Sequence, residues 1–187
     1  MDINQIKVVK RTVKYPRLEL KTGRPLLILP QKGHFDPEKI IKKHESWLRK
    51  KLEYIEQIKR KYSNEKIYRR LKEELMTIIE RWVRKYSQIL GVKPEKITIR
   101  LMKTRWGSCS RKKRLSFNLL LKYLPSSLIK YVVFHEMAHL IVPNHRRNFW
   151  QLIKQEFNNP DHYEEALFGY WFLLLGKLGS LGKLESL

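Results

Sequence analysis

His135-Glu136-Met137-Ala138-His139 places two imidazoles four residues apart with a carboxylate between them. On a helix, positions i and i+4 share a face one turn apart, so both rings can grip one ion. Glu136 points roughly 100° away around the axis, off the ion but within reach of a water beside it. His145 follows six residues after His139. A continuous helix would carry it out of reach, but Pro143 ends the helix and Asn144 accepts left-handed geometry, so the chain can turn back. Three protein ligands with one open position is the catalytic arrangement of zinc, which lowers the pKa of a coordinated water and polarises the substrate oxygen. The expected metal ligands are His135, His139 and His145, with one Zn2+, and Glu136 is the expected general base. Glu164 or Glu165 is a rival third ligand. His34, His44 and His162 read as surface histidines.

The helix carrying the motif is apolar nearly all round (Leu128, Ile129, Val132, Val133, Phe134, Met137, Ala138, Leu140, Ile141) and is expected to be buried. Burying two histidines and a glutamate without partners costs several kcal/mol, and a divalent ion supplies the partner. This helix is expected over 127–141, capped by Pro125-Ser126-Ser127. A turn at Pro143-Asn144 leads to a helix through Phe149, Trp150, Leu152, Ile153 and Phe157. Asp161 is expected to cap a last helix ending near Gly176.

Upstream, 96–121 alternates as strands, with a hairpin through the basic turn Arg111–Arg114. The strand with Ser116, Phe117 and Asn118 is expected to flank the cleft and bind extended peptide by strand addition, with core packing as the plain alternative. Residues 6–30 read as a small antiparallel hairpin or meander with a turn at Thr22-Gly23. Asp36-Pro37-Glu38 starts a helix carrying Ile41, Leu48, Leu52, Ile55 and Tyr62. Ser63 and Glu65 start another, with a stripe of Ile67, Leu71, Leu75, Ile78, Ile79, Trp82 and Tyr86, stopped by Gly91. No internal repeat is evident. The expected fold class is α+β, divided into an N-terminal hairpin-and-helix lobe (1–62), a domain over 63–178 that carries the metal motif and would be zincin-like if that motif works as a hydrolase, and a loose tail (179–187).

Lys plus Arg total 40 against 18 acids, for a net charge of +22. Such a field attracts polyanions, so a nucleotide or nucleic-acid partner stands beside a merely solvated basic surface. Cys109 is the only cysteine, so no internal disulfide forms, which fits a reducing cytoplasm. Met1-Asp2-Ile3-Asn4-Gln5 lacks the character of a signal peptide, and no apolar run reaches the roughly 20 residues a bilayer needs, so no membrane partner is expected.

Trp106-Gly107-Ser108-Cys109-Ser110, Leu115-Ser116-Phe117-Asn118, His135-Glu136-x-x-His139 continuing to Asn144-His145, and Phe149-Trp150 resemble the YgjP-like metal-dependent hydrolases, relatives of SprT-like zincins. Trp47-Leu48-Arg49-Lys50-Lys51 looks like that family's opening region. Met137-Ala138 departs conservatively from the pattern. The resemblance implies a zinc site on His135, His139 and His145, with Glu136 catalytic and a peptide or protein substrate. It also leaves open a UTP pyrophosphatase, and a DNA-associated protease or binding module recruited by the basic surface. No Gly-rich phosphate loop supports the nucleotide reading. Trp106, Ser116 and Asn118 are the candidate substrate-binding residues. Cys109 is either a small buried residue or, as a thiolate, a fourth ligand that would close the site.

Overall fold

The structure, a computed structural model, describes residues 6–20 and 23–179. Met1–Gln5, Thr22 of the expected turn, and all of the expected tail but Gly179 lie outside the described residues. The chain divides into two compact units, Met1–Ser63 and Asn64–Leu187.

In the first unit, β1 (Lys7–Arg11), β2 (Arg17–Glu19) and β3 (Leu26–Pro30) form a sheet of order β1-β3-β2. β2 and β3 make the antiparallel hairpin, but β1 runs parallel to β3, so the sheet is mixed and not a meander. The all-apolar run of Leu26–Leu29 accounts for this: buried along its length, β3 needs a strand on each side. Asp36 caps α1 (Pro37–Lys43), accepting from the N–H groups of Glu38 (3.0 Å) and Lys39 (3.2 Å). The helix is interrupted at His44 and resumes as α2 (Glu45–Tyr62). Ile6, Leu27, Leu29 and Leu48 form the core of this unit.

The second unit opens differently from expectation. No helix starts at Ser63 or Glu65; α3 spans Lys72–Leu90. Residues 66–70 are held outside the helix by tertiary hydrogen bonds. Tyr68 N–H donates to Tyr123 O (3.0 Å), and the Arg70 guanidinium donates to Leu124 O (2.6 Å) and Lys122 O (3.2 Å). Glu74 then accepts from Leu71 N–H (2.7 Å), closing the helix start, and Gly91 (φ 65°) ends it in the left-handed conformation that a glycine adopts without strain.

A second three-stranded sheet follows: β4 (Lys96–Arg100), β5 (Gly107–Cys109) and β6 (Arg114–Asn118), in the order β4-β6-β5. β5 and β6 form the expected hairpin, while β4 pairs parallel to β6. Both sheets thus share one layout, with the last strand in the middle. A short 3-10 helix (Leu119–Tyr123) leads to α4 (Ser126–Ala138), then α5 (Arg147–Glu156) and α6 (Pro160–Lys177). Asn159, not Asp161, caps α6, because Pro160 already occupies its first turn. α4 packs against α3, α5, α6 and β5. Tyr131, Val133, Phe134, Met137 and Ala138 are all buried, as an all-apolar helix requires. No helix among the described residues is long and apolar enough to cross a membrane.

Candidate metal centre

α4 ends one residue before His139, which keeps helical geometry (φ −66°, ψ −16°), so His135 and His139 stand one turn apart. The chain then tightens: Val142 N–H bonds back to Ala138 O (2.9 Å), and Asn144 Oδ1 accepts from Arg146 N–H (3.2 Å). The return is made by this side-chain turn and not by left-handed backbone, since Lys113 alone among described non-glycine residues has positive φ. Trp150 Nε1–H donates to His145 O (3.1 Å) and Phe149 packs against all three imidazoles. α5 therefore holds the third histidine from behind.

Nε2 of His145 lies 3.0 Å from Nε2 of His135 and 3.1 Å from Nε2 of His139. Tetrahedral edges around a zinc ion with Zn–N near 2.0–2.1 Å are about 3.3–3.4 Å, so an ion would need the rings to part by only a few tenths of an ångström. His139 Nδ1–H donates to Val142 O (3.1 Å), which leaves the Nε2 lone pair facing the other two rings. Burial pushes His135 down to about 3 and lowers His139, so both are neutral near pH 7. Three imidazole nitrogens facing one another can share at most a proton or two, whereas one cation satisfies all three. The donor set fits a divalent metal ion.

Glu136 is 6% exposed. Burial pushes its carboxyl up to about 8, against the opposing charge of Arg105. It packs on Gly107, where a side chain would collide with it: a Cβ there would fall 2.6 Å from Glu136 Cγ. Glu136 and the three histidines line an open cleft of about 650 Å³, walled by 105–111 on one side and by Tyr131, Glu164 and Leu167 on the other.

Glu164 does not join the histidine cluster. Its Oε1 accepts from Tyr131 OH (2.6 Å) and lies 3.6 Å from Nδ1 of His135, the ring nitrogen turned away from the other histidines. Cys109 lies in the cleft wall but outside the cluster, and burial raises its thiol. His34, His44 and His162 are exposed.

Of the candidate substrate-binding residues, only Trp106 reaches the cleft, where it packs edge-to-face on Trp171 at 5.1 Å. Ser116 instead shares a hydrogen bond with Thr98 (2.9 Å) inside the sheet. Asn118 is fully buried and spends its amide on the backbone: Nδ2 donates to Met102 O and Arg105 O, and Oδ1 accepts from Met102 and Leu120 N–H. β6 is the central strand, so it has no free edge for a peptide. β5 is an edge strand and lines the cleft. Sequence reasoning missed Gly107, although a glycine inside an alternating strand is itself a sign of close approach.

The family model described as YgjP-like, metallopeptidase domain, matches residues 57–168. The chain belongs to this family. As a YgjP-like protein it is a metal-dependent hydrolase, and its α+β class agrees with the sequence expectation. Solved structures similar to it include two metallopeptidase zymogens. The metallopeptidase zymogen of Pyrococcus abyssi abylysin is 20% identical over 55% of this chain and 96% of that one, with a TM-score of 0.45. The metallopeptidase zymogen of Methanocaldococcus jannaschii jannalysin is 26% identical over 48% of this chain and 92% of that one, with a TM-score of 0.44. No curated protein matches the chain.

Proposed function

We propose that this YgjP-like chain is a zinc metallopeptidase in which His135, His139 and His145 hold the ion and Glu136 is the general base. The convergence of three Nε2 atoms beside a buried carboxylate, on the wall of one open cleft, is the observation that supports it. Zinc, when bound, supplies Lewis acidity and a nucleophilic water at neutral pH. Glu136 takes the proton from the attacking water. It then delivers that proton to the leaving amine. Val142 O holds the outer nitrogen of His139 and Glu164 faces that of His135 at 3.6 Å, which leaves the inner nitrogens to face the ion. The outer edge of β5 offers backbone N–H and C=O groups to an extended peptide, and Trp106 and Leu167 give the cleft apolar surface for its side chains.

Hydrolysis of an unfolded protein by the zinc-loaded chain tests this reading. Glu136→Gln is expected to lose at least about a hundredfold in kcat, the scale of positioned proton transfer. His145→Ala is expected to lose the metal in elemental analysis. Wild-type turnover by Glu136→Gln would refute the base, and unchanged zinc content in His145→Ala would refute the third ligand.

A further inference from the structure

One end of the first sheet gathers positive charge without any acid. From Ile6 to Leu18 the sequence carries Lys7, Lys10, Arg11, Lys14 and Arg17 and no Asp or Glu. The register sets Arg11 opposite Pro30, the last residue of β3, and Arg17 opposite Ile28 at its middle, so residues 12–16 between the two arginines cross the Pro30 end of the sheet. The segment after β3 joins them: Gln31 N–H donates to Arg11 O (3.1 Å), and Thr12 Oγ1 bonds Gln31 Oε1 (3.3 Å), which brings Lys32 alongside. Glu19 pairs with Leu26 and so lies at the opposite end. The next acid along the chain, Asp36, is committed to capping α1 and to Lys39 (3.8 Å).

Among the described residues, Lys10, Arg11, Lys14, Arg17 and Lys32 are exposed and have no acidic partner. Some cations elsewhere are paired, as in Arg49–Glu45, Lys59–Glu56 and Lys130–Glu156. Tyr15 stands 65% exposed in their midst, with Lys14 Nζ 5.3 Å from its ring centroid. Unneutralised cations around an exposed aromatic ring match the chemistry of phosphodiester backbone and unpaired base.

We propose that this end of the first sheet, with Lys10, Arg11, Lys14, Arg17 and Lys32 around Tyr15, binds single-stranded nucleic acid. The cations take successive phosphates and Tyr15 stacks on a base. Unpaired strands fit better than a duplex, because a base must be free to meet the ring and the surface is an edge strand with loops, with no helix to enter a major groove. The surface lies wholly within the first unit, and it does not depend on the hydrolytic reading of the second.

Fluorescence anisotropy with labelled oligouridylate and oligothymidylate tests the proposal on the full chain. Log affinity is expected to fall linearly with log salt, by about 0.7 for each phosphate engaged. The triple variant Arg11→Gln, Lys14→Gln, Arg17→Gln should bind at least about tenfold more weakly at fixed salt. Tyr15→Ala should lose about tenfold through stacking. A control triple on α3, Arg81→Gln, Arg84→Gln, Lys85→Gln, should bind nearly as the wild type does, with thermal melts confirming that each variant folds. An equal loss in the control triple would overturn the proposal, since binding would then follow net charge alone. So would absence of salt-dependent binding, an unaltered affinity in Tyr15→Ala, or tighter binding to duplex DNA or to phosphatidylserine vesicles than to the oligonucleotides.

Discussion

Gly107 and Glu136 are fitted to each other: a Cβ added to Gly107 would lie 2.6 Å from Glu136 Cγ, 2.6 Å from Oε1 and 2.8 Å from Cδ. The strand wall of the cleft and the carboxylate of α4 therefore share one surface. Gly107→Ala must push the carboxylate aside or shift β5. A displacement near 1 Å of a catalytic group costs about a hundredfold in rate, and overpacking costs about 1–3 kcal/mol in stability. Peptide hydrolysis and thermal unfolding of Gly107→Ala should show both effects. Wild-type activity in that variant would mean that Glu136 need not sit where it does.

Burial lifts Glu136 from 4.5 to about 8. The folded state thus binds a proton that the unfolded state releases, so the metal-free protein loses stability as pH rises from about 4.5 to about 8 and no further above that. Glu136→Gln removes the titration while keeping the shape. Its unfolding free energy, measured with chelator present, should match the wild type at pH 4 and exceed it at pH 8, by an amount on the order of a few kcal/mol. A gap that does not change with pH would contradict the assignment.

Tyr131 OH holds Glu164 at 2.6 Å, and Glu164 in turn faces His135 Nδ1 at 3.6 Å. A carboxylate on the far nitrogen fixes the ring tautomer and strengthens its donation, and losing such a partner costs about 10–100-fold in metal affinity. Competition with a chromophoric chelator should place Glu164→Gln in that range, with Tyr131→Phe falling less because the carboxylate remains. Undiminished affinity in Glu164→Gln would remove the orienting role.

The HExxH helix was readable because three local signals agreed there: the i, i+4 spacing, the all-round apolar character of 128–141, and Pro143 after it. The stretch 64–71 was not readable. Ile67 and Leu71 continue the helical stripe of Leu75 and Ile79, yet Arg70 and Tyr68 bond the carbonyls of Leu124 and Tyr123, more than fifty residues away. Such partners are invisible to a local pattern. The same holds for β1, whose parallel pairing with β3 depends on a crossover that periodicity does not encode. From the sequence, Ser116 and Asn118 read as substrate contacts because their strand precedes the HExxH helix. Order within the sheet, which sequence spacing leaves open, puts β5 at the edge instead.

Asn118 lies outside the cleft, yet its loss should still reach it. Its amide ties Met102 and Arg105 to the end of β6, with Nδ2 bonds of 2.9 and 2.8 Å. Arg105 and Trp106, which these bonds hold, line the cleft beside Glu136. Asn118→Ala leaves several buried backbone groups unpaired, at about 1–3 kcal/mol for each that finds no water. Asn118→Asp keeps the acceptor but replaces the donating NH2 with a carboxyl oxygen facing two carbonyls, and should be at least as damaging once that carboxyl ionises. Both variants should unfold earlier in denaturant. Those molecules that remain folded should keep full zinc content while losing kcat/KM, since the histidines stand on other elements. Loss of zinc in step with loss of activity would show instead that residues 101–106 support the metal centre directly.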